Sequence, residues 1–272
     1  MTATTTSTST AFAKARAEDR SALIGYLPAG FPTVEGSVTA LRAMVEAGCD
    51  AIEIGLPYSD PVMDGPTIQA AAQQALDAGV RTKDVLEVVA AVAETGVPTL
   101  VMTYWNPIER YGVERWAADL AEAGGAGLIT PDITPDYGTE WIEAADAHDL
   151  DKVFLVAPSS TDERVAMTAR ASRGFVYAAA VMGVTGARDA TSDLAGPLVG
   201  RVRATGDIPV AVGIGVSNGD QAAEVAAYAD GVIVGSAFVR TLLDHPGDEA
   251  AGIEALRALT ADLAEGVRRG KR

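Results

Sequence analysis

The sequence predicts a closed (β/α)8 barrel of the TIM type, on three observations. From residue 21 onward, short apolar runs alternate with amphipathic helical stretches, and such alternation means parallel strands joined by crossover helices. Eight of these units fill most of the 272 residues, close to the ~250 typical of a closed barrel. The first run is followed by Pro28-Ala29-Gly30-Phe31-Pro32, where an open doubly wound sheet carries a phosphate-cradling glycine fingerprint. No linker or shift in composition divides the pattern. Residues 11–272 therefore read as one barrel domain behind a disordered Thr- and Ser-rich leader, residues 1–10.

Taken in order, Ala11–Asp19 suggests an extra N-terminal helix that plugs the bottom of the barrel. The strands are Ala22–Leu27, Ala51–Leu56, Thr99–Trp105, Gly127–Asp132, Lys152–Ala157, Phe175–Met182, Pro209–Gly215 and Gly231–Ala237. Helices are expected at Glu35–Gly48, at Pro66–Gly79 followed by an extra one at Lys83–Thr95, and at Val113–Gly124, Tyr137–His148 and Asp162–Ser172. Asp193–Thr205, Gln221–Tyr228, a short Ser236–Leu243 and a final Asp248–Arg269 complete the set. Gly48, Gly79 and Gly124 stand where a left-handed cap ends a helix. Pro66 suits the first position of its helix.

The formal net charge of −16 excludes binding to duplex nucleic acid, whose affinity rests on Lys and Arg neutralising phosphates. A single cysteine, Cys49, leaves no internal disulfide and suits a reducing cytoplasm. No apolar run reaches the ~20 residues of a membrane-spanning helix. Two histidines and one cysteine do not make a zinc site.

In a barrel the active site lies at the C-terminal ends of the strands. There the second strand carries Glu53, with side chains alternating so that Ile52 and Ile54 face one way and Glu53 the other, between Ala51 and Gly55. A buried carboxylate needs a partner, a raised pKa or a ligand, and a raised pKa suits proton transfer near neutrality. Asp64 follows in a Pro- and Asp-rich loop that ends at Gly65. Asp before Gly is also ordinary turn chemistry, and it is the closeness to Glu53 that marks it. Tyr26, Tyr104 and Tyr177 are candidate walls of an apolar pocket. The loops after strands seven and eight of a barrel often bind phosphate. At the ends of those two strands, where these loops begin, stand Gly213, Gly215, Gly235 and Ser236. Gly215-Val216-Ser217-Asn218-Gly219 also fits a nucleophile elbow, but no suitable histidine base accompanies it. Ser217 with Asp220 reads instead as a helix-capping pair.

These residues resemble the tryptophan synthase alpha-subunit family over nearly the whole chain. The resemblance is most specific in Glu53-Ile54-Gly55-Leu56-Pro57-Tyr58-Ser59-Asp60-Pro61 with Asp64-Gly65-Pro66-Thr67-Ile68-Gln69. It continues in Gly183-Val184-Thr185-Gly186, Gly213-Ile214-Gly215-Val216-Ser217 and Gly235-Ser236-Ala237. It implies a lyase that splits indole-3-glycerol phosphate by a retro-aldol step, with no cofactor in this chain. By the same resemblance Glu53 is the general acid/base, and Asp64 accepts a hydrogen bond from the indole N–H. Tyr26, Ile68, Tyr104 and Tyr177 line the pocket. Gly186, Gly215, Gly235 and Ser236 hold the phosphate, and Thr185 belongs to a closing lid. The implied partner is a beta subunit carrying pyridoxal phosphate, in an alpha-beta-beta-alpha assembly, met through the loop with Pro57 and Asp60. Other phosphate-handling barrels would need a catalytic Lys at the strand ends, and Lys152 begins its strand instead. A non-catalytic activating subunit would have no need of Glu53 and Asp64.

Overall fold

The computed structural model describes residues 6–179 and 192–270. Eight parallel strands close into a barrel in chain order, β1 (Ala22–Pro28) pairing with both β2 (Ala51–Gly55) and β8 (Gly231–Val234). Between them run β3 (Thr99–Met102), β4 (Gly127–Thr130), β5 (Asp151–Val156), β6 (Val176–Ala179) and β7 (Val210–Gly213). The expected helices all form within a few residues of their predicted bounds, and one more appears. Of these, α1 (Thr8–Ala17) precedes the barrel and α2 (Val34–Ala47) follows β1. After β2 come both α3 (Pro66–Asp77) and α4 (Thr82–Ala93), with Pro66 at the first helical position as its rigid φ favours. Gly48, Gly79 and Gly124 all take positive φ at helix ends.

Strand alternation sorts the core into two shells. Ile52 and Ile54 pack outward with the helices, in a cluster that includes Trp116, Trp141 and Phe238. Ala51, Leu100, Ile129, Val153, Ala211 and Ile233 point inward and fill the barrel axis. The bottom is stoppered by α1, whose Phe12 meets the Phe175 ring at 5.4 Å. Burying a Phe stabilises by about 1.5–3 kcal/mol, so the plug is part of the core.

Residues 6–10, expected to be disordered leader, belong to the folded chain. Ser7 caps α1, which begins at Thr8. The Thr8 N–H and hydroxyl donate to the Asp151 carboxylate at 2.7 and 2.6 Å. Asp151 is fully buried at the foot of β5, with Arg173 3.4 Å away. A carboxylate out of water must be paired, and Ser7 and Thr8 supply the donors.

The third strand is also shorter than predicted. It stops at Met102, and Trp105–Tyr111 forms the additional helix, α5. Asp132, in the loop after β4, accepts the Trp105 N–H at 2.9 Å and so caps α5 from another loop. Pro107 falls in the first turn, where no amide donor is lost. After β7 comes the helix α10 (Gly219–Ala226). Its cap is Asn218, which accepts the Gln221 N–H at 2.9 Å. Ser217 instead donates its N–H and hydroxyl to the Gln221 side chain, so the predicted Ser217–Asp220 pair is not the cap.

Candidate active site

A cavity of about 770 Å³ opens at the C-terminal ends of the strands. Met102, Leu155 and Ile233 contribute to its apolar lining, and Glu53 lies among them. The Glu53 carboxyl is completely buried, and neither oxygen has a hydrogen-bond partner among the described residues. Loss of hydration penalises the charged form, which pushes its pKa up to about 8. At neutral pH this group is mostly a carboxylic acid.

Two tyrosines flank it. Tyr26 pairs with Glu53 in register across β1 and β2, and burial holds the Tyr177 phenol protonated, with Glu53 adding to the shift. Two glycines make room for them. A Cβ on Gly55 would stand 2.1 Å from the Tyr26 hydroxyl, and one on Gly213 would stand 2.5 Å from that of Tyr177. The role of Gly213 is therefore this close approach. Gly215 has φ +79°, a conformation that glycine adopts without strain.

Asp64 sits partly buried on the same cavity, and burial raises its pKa while a hydrogen bond from Tyr104 opposes the shift. The Tyr104 hydroxyl donates to Asp64 Oδ1 at 3.0 Å and accepts the Met63 N–H at 3.0 Å. Predicted as a strand end, Tyr104 is the N-cap residue of α5 and still lines the cavity. Gln69 Nε2 donates to the Asp64 carbonyl at 2.7 Å and steadies the turn. Across the mouth, α11 (Ser236–Leu243) starts from Gly235, whose missing side chain leaves its first amides uncapped. Such amides attract anions.

The structure thus gathers Glu53, Asp64, Tyr26, Ile68, Tyr104, Tyr177, Gly215, Gly235 and Ser236 around one cavity. Thr185 and Gly186 lie outside the described residues. The sequence reading missed Arg240 and Thr67, which line the same space. The four-residue step from Ser236 to Arg240 on one helix face was the available signal. His148 meets Glu114 at 2.7 Å and His245 meets the Thr241 carbonyl at 2.7 Å. Neither lines the cavity, which agrees with the rejected serine triad. Among the described residues no group of three His, Cys, Asp or Glu could hold a metal ion, and no helix is long and apolar enough to cross a membrane.

The raised pKa of Glu53 has a cost in stability. Between about pH 4.5 and pH 8 the folded state holds a proton that the unfolded chain has released, so stability falls as pH rises through this window. At pH 7 the penalty is on the order of 3 kcal/mol. Glu53→Gln cannot ionise. In urea denaturation at pH 5 and at pH 8, the variant should gain several kcal/mol relative to the unaltered chain at the higher pH. Equal differences at both pH values would mean that Glu53 is not shifted.

A closed barrel whose mouth holds one fully and one partly buried carboxylate is the architecture of a (β/α)8 enzyme. The chain belongs to the tryptophan synthase alpha chain family, whose sequence model matches residues 12–268. It is 61% identical over 257 residues to the tryptophan synthase alpha chain of Nocardia farcinica, covering 94% of each chain. The alpha chain of Thermobifida fusca is 59% identical over 263 residues, covering 96% of this chain and 97% of the relative. Among solved structures, a Mycobacterium tuberculosis tryptophan synthase superposes with a TM-score of 0.90 at 57% identity, over 96% of this chain and 98% of the other. A mutant alpha subunit from Pyrococcus furiosus still reaches 0.82 at 33% identity, over 90% and 98%.

Proposed function

We propose that this chain cleaves indole-3-glycerol phosphate to indole and glyceraldehyde 3-phosphate, with Glu53 and Asp64 carrying the chemistry. It is a carbon–carbon lyase of tryptophan biosynthesis and needs no cofactor of its own. The observation that supports these roles best is the isolated, desolvated Glu53 carboxyl, raised to about pKa 8. As an acid it donates its proton to indole C3, which breaks the ring's aromaticity and leaves positive charge toward the ring nitrogen. Asp64 accepts the indole N–H and stabilises that charge. The Glu53 carboxylate so formed then takes the proton of the adjacent side-chain hydroxyl. The C–C bond breaks, its electron pair returns to the ring, a carbonyl forms, and Glu53 ends protonated as it began.

Tyr26, Ile68, Tyr104 and Tyr177 wall the indole and glycerol. The amides at Gly215, Gly235 and Ser236 hold the phosphate, together with Gly186, and Thr185 contributes to closure over the site. The beta subunit holds pyridoxal phosphate and joins this chain in an alpha-beta-beta-alpha complex. The loop with Pro57 and Asp60 is read as its docking site. In that loop Val62 and Met63 leave 74% and 38% of their surface exposed, and apolar side chains in a loop favour a protein partner. The compartment is the cytoplasm.

The test is indole release from indole-3-glycerol phosphate by the purified chain, alone and with its beta subunit. Slow release alone and faster turnover with the partner are expected. No indole under either condition overturns the reading.

A further inference from the structure

One cationic side chain lines the cavity among the described residues, that of Arg240. It lies on α11 four residues after Ser236. Helical residues four apart share a face, and helical side chains lean back toward the N-terminus. Arg240 therefore overlies the turn whose amides open the helix. Its guanidinium Nη2 donates to Thr67 Oγ1 at 2.7 Å. Thr67 is the second residue of α3, three positions after Asp64.

This hydrogen bond links the two halves of the site. The helix that begins at the phosphate cradle reaches the helix that begins at the Asp64 turn. The other polar ties of that turn go elsewhere. Tyr104 holds it to the start of α5, and Gln69 folds it back on α3 itself. The substrate must meet both anchors at once, its phosphate at α11 and its indole N–H at Asp64. Phosphate binding assists the reaction at the ring only if the spacing between the anchors is held.

We propose that Arg240 is a positioning residue for the lyase reaction, setting the spacing between the phosphate cradle and Asp64 through Thr67. The proposal rests on the site reading given above. Arg240 is exposed at the cavity rim, and a hydrogen bond made there contributes little to folding. Its effect should appear in the rate and not in the amount of folded chain. A displacement of about 1 Å at a reacting centre can cost up to 10²-fold, and a slackened tie should cost part of that.

The experiment compares Thr67→Val, Arg240→Met, Arg240→Lys and the Thr67→Val/Arg240→Met double variant, each assembled with the beta subunit and assayed for cleavage of indole-3-glycerol phosphate. Thr67→Val removes the acceptor and keeps the cation. It should lower kcat about tenfold and leave KM and competitive inhibition by glycerol 3-phosphate within about twofold. Arg240→Met should lower kcat by a similar factor, and the double variant should fall no further, because both remove the same link. Arg240→Lys should recover most of the loss. A Thr67→Val enzyme with unaltered kcat overturns the proposal, as do additive losses in the double variant or losses that follow a lowered melting temperature. Absence of cleavage by the unaltered complex overturns the site reading and this proposal together. Normal cleavage with a silent Thr67→Val overturns this proposal alone.

Discussion

Glu53→Gln should lower kcat for indole release by a factor of about 10²–10⁴, the range for loss of a positioned proton-transfer group. The upper end is expected, since the proposed mechanism gives both transfers to one carboxyl. The amide has the size of the acid and is neutral, as the acid mostly is at pH 7, so the barrel should fold and bind substrate normally. The same group dictates the pH profile. In the proposed mechanism the reactive form is the carboxylic acid, so kcat/KM should hold below about pH 8 and fall roughly tenfold per unit above it. Steady-state rates of variant and unaltered chain across pH 6–9 check both statements. A Gln variant within tenfold of the unaltered rate would remove Glu53 from the chemistry.

Asp64→Asn should lower kcat by about 10²-fold with little change in KM, as when one preorganised electrostatic contact is lost. The substitution separates hydrogen bonding from charge. The Asn amide oxygen can still accept from the indole N–H and from Tyr104, which donates to Asp64 at 3.0 Å. What it lacks is the negative charge, and positive charge develops on the indole ring only as C3 is protonated. An interaction made only in the transition state appears in kcat and not in KM. A raised KM with normal kcat would make Asp64 a substrate-binding group alone.

How much of this was legible in the sequence differs from element to element. The barrel could be read because strand and helix periodicities are local. Glu53 could be placed inside because side-chain parity along β2 needs only its neighbours, Ile52 and Ile54. The glycines at the ends of β7 and β8 were legible from their place in the strand order, although the space beside Gly213 serves Tyr177, which arrives from a neighbouring strand.

The sequence by itself determined the order of the eight strands, the inward face of β2 and the end of the barrel where chemistry could lie. These follow from steric preferences that act over a few residues. Only the tertiary structure decided where α1 begins, because Thr8 is anchored by Asp151, 143 positions away. The same holds for α5, whose cap Asp132 is 27 positions distant, and for the tie between Arg240 and Thr67, which spans 173. The raised pKa of Glu53 was expected from its place inside the barrel mouth, but its extent belongs to this second group. It is set by how completely the closed barrel removes solvent and partners, which no local pattern of residues carries.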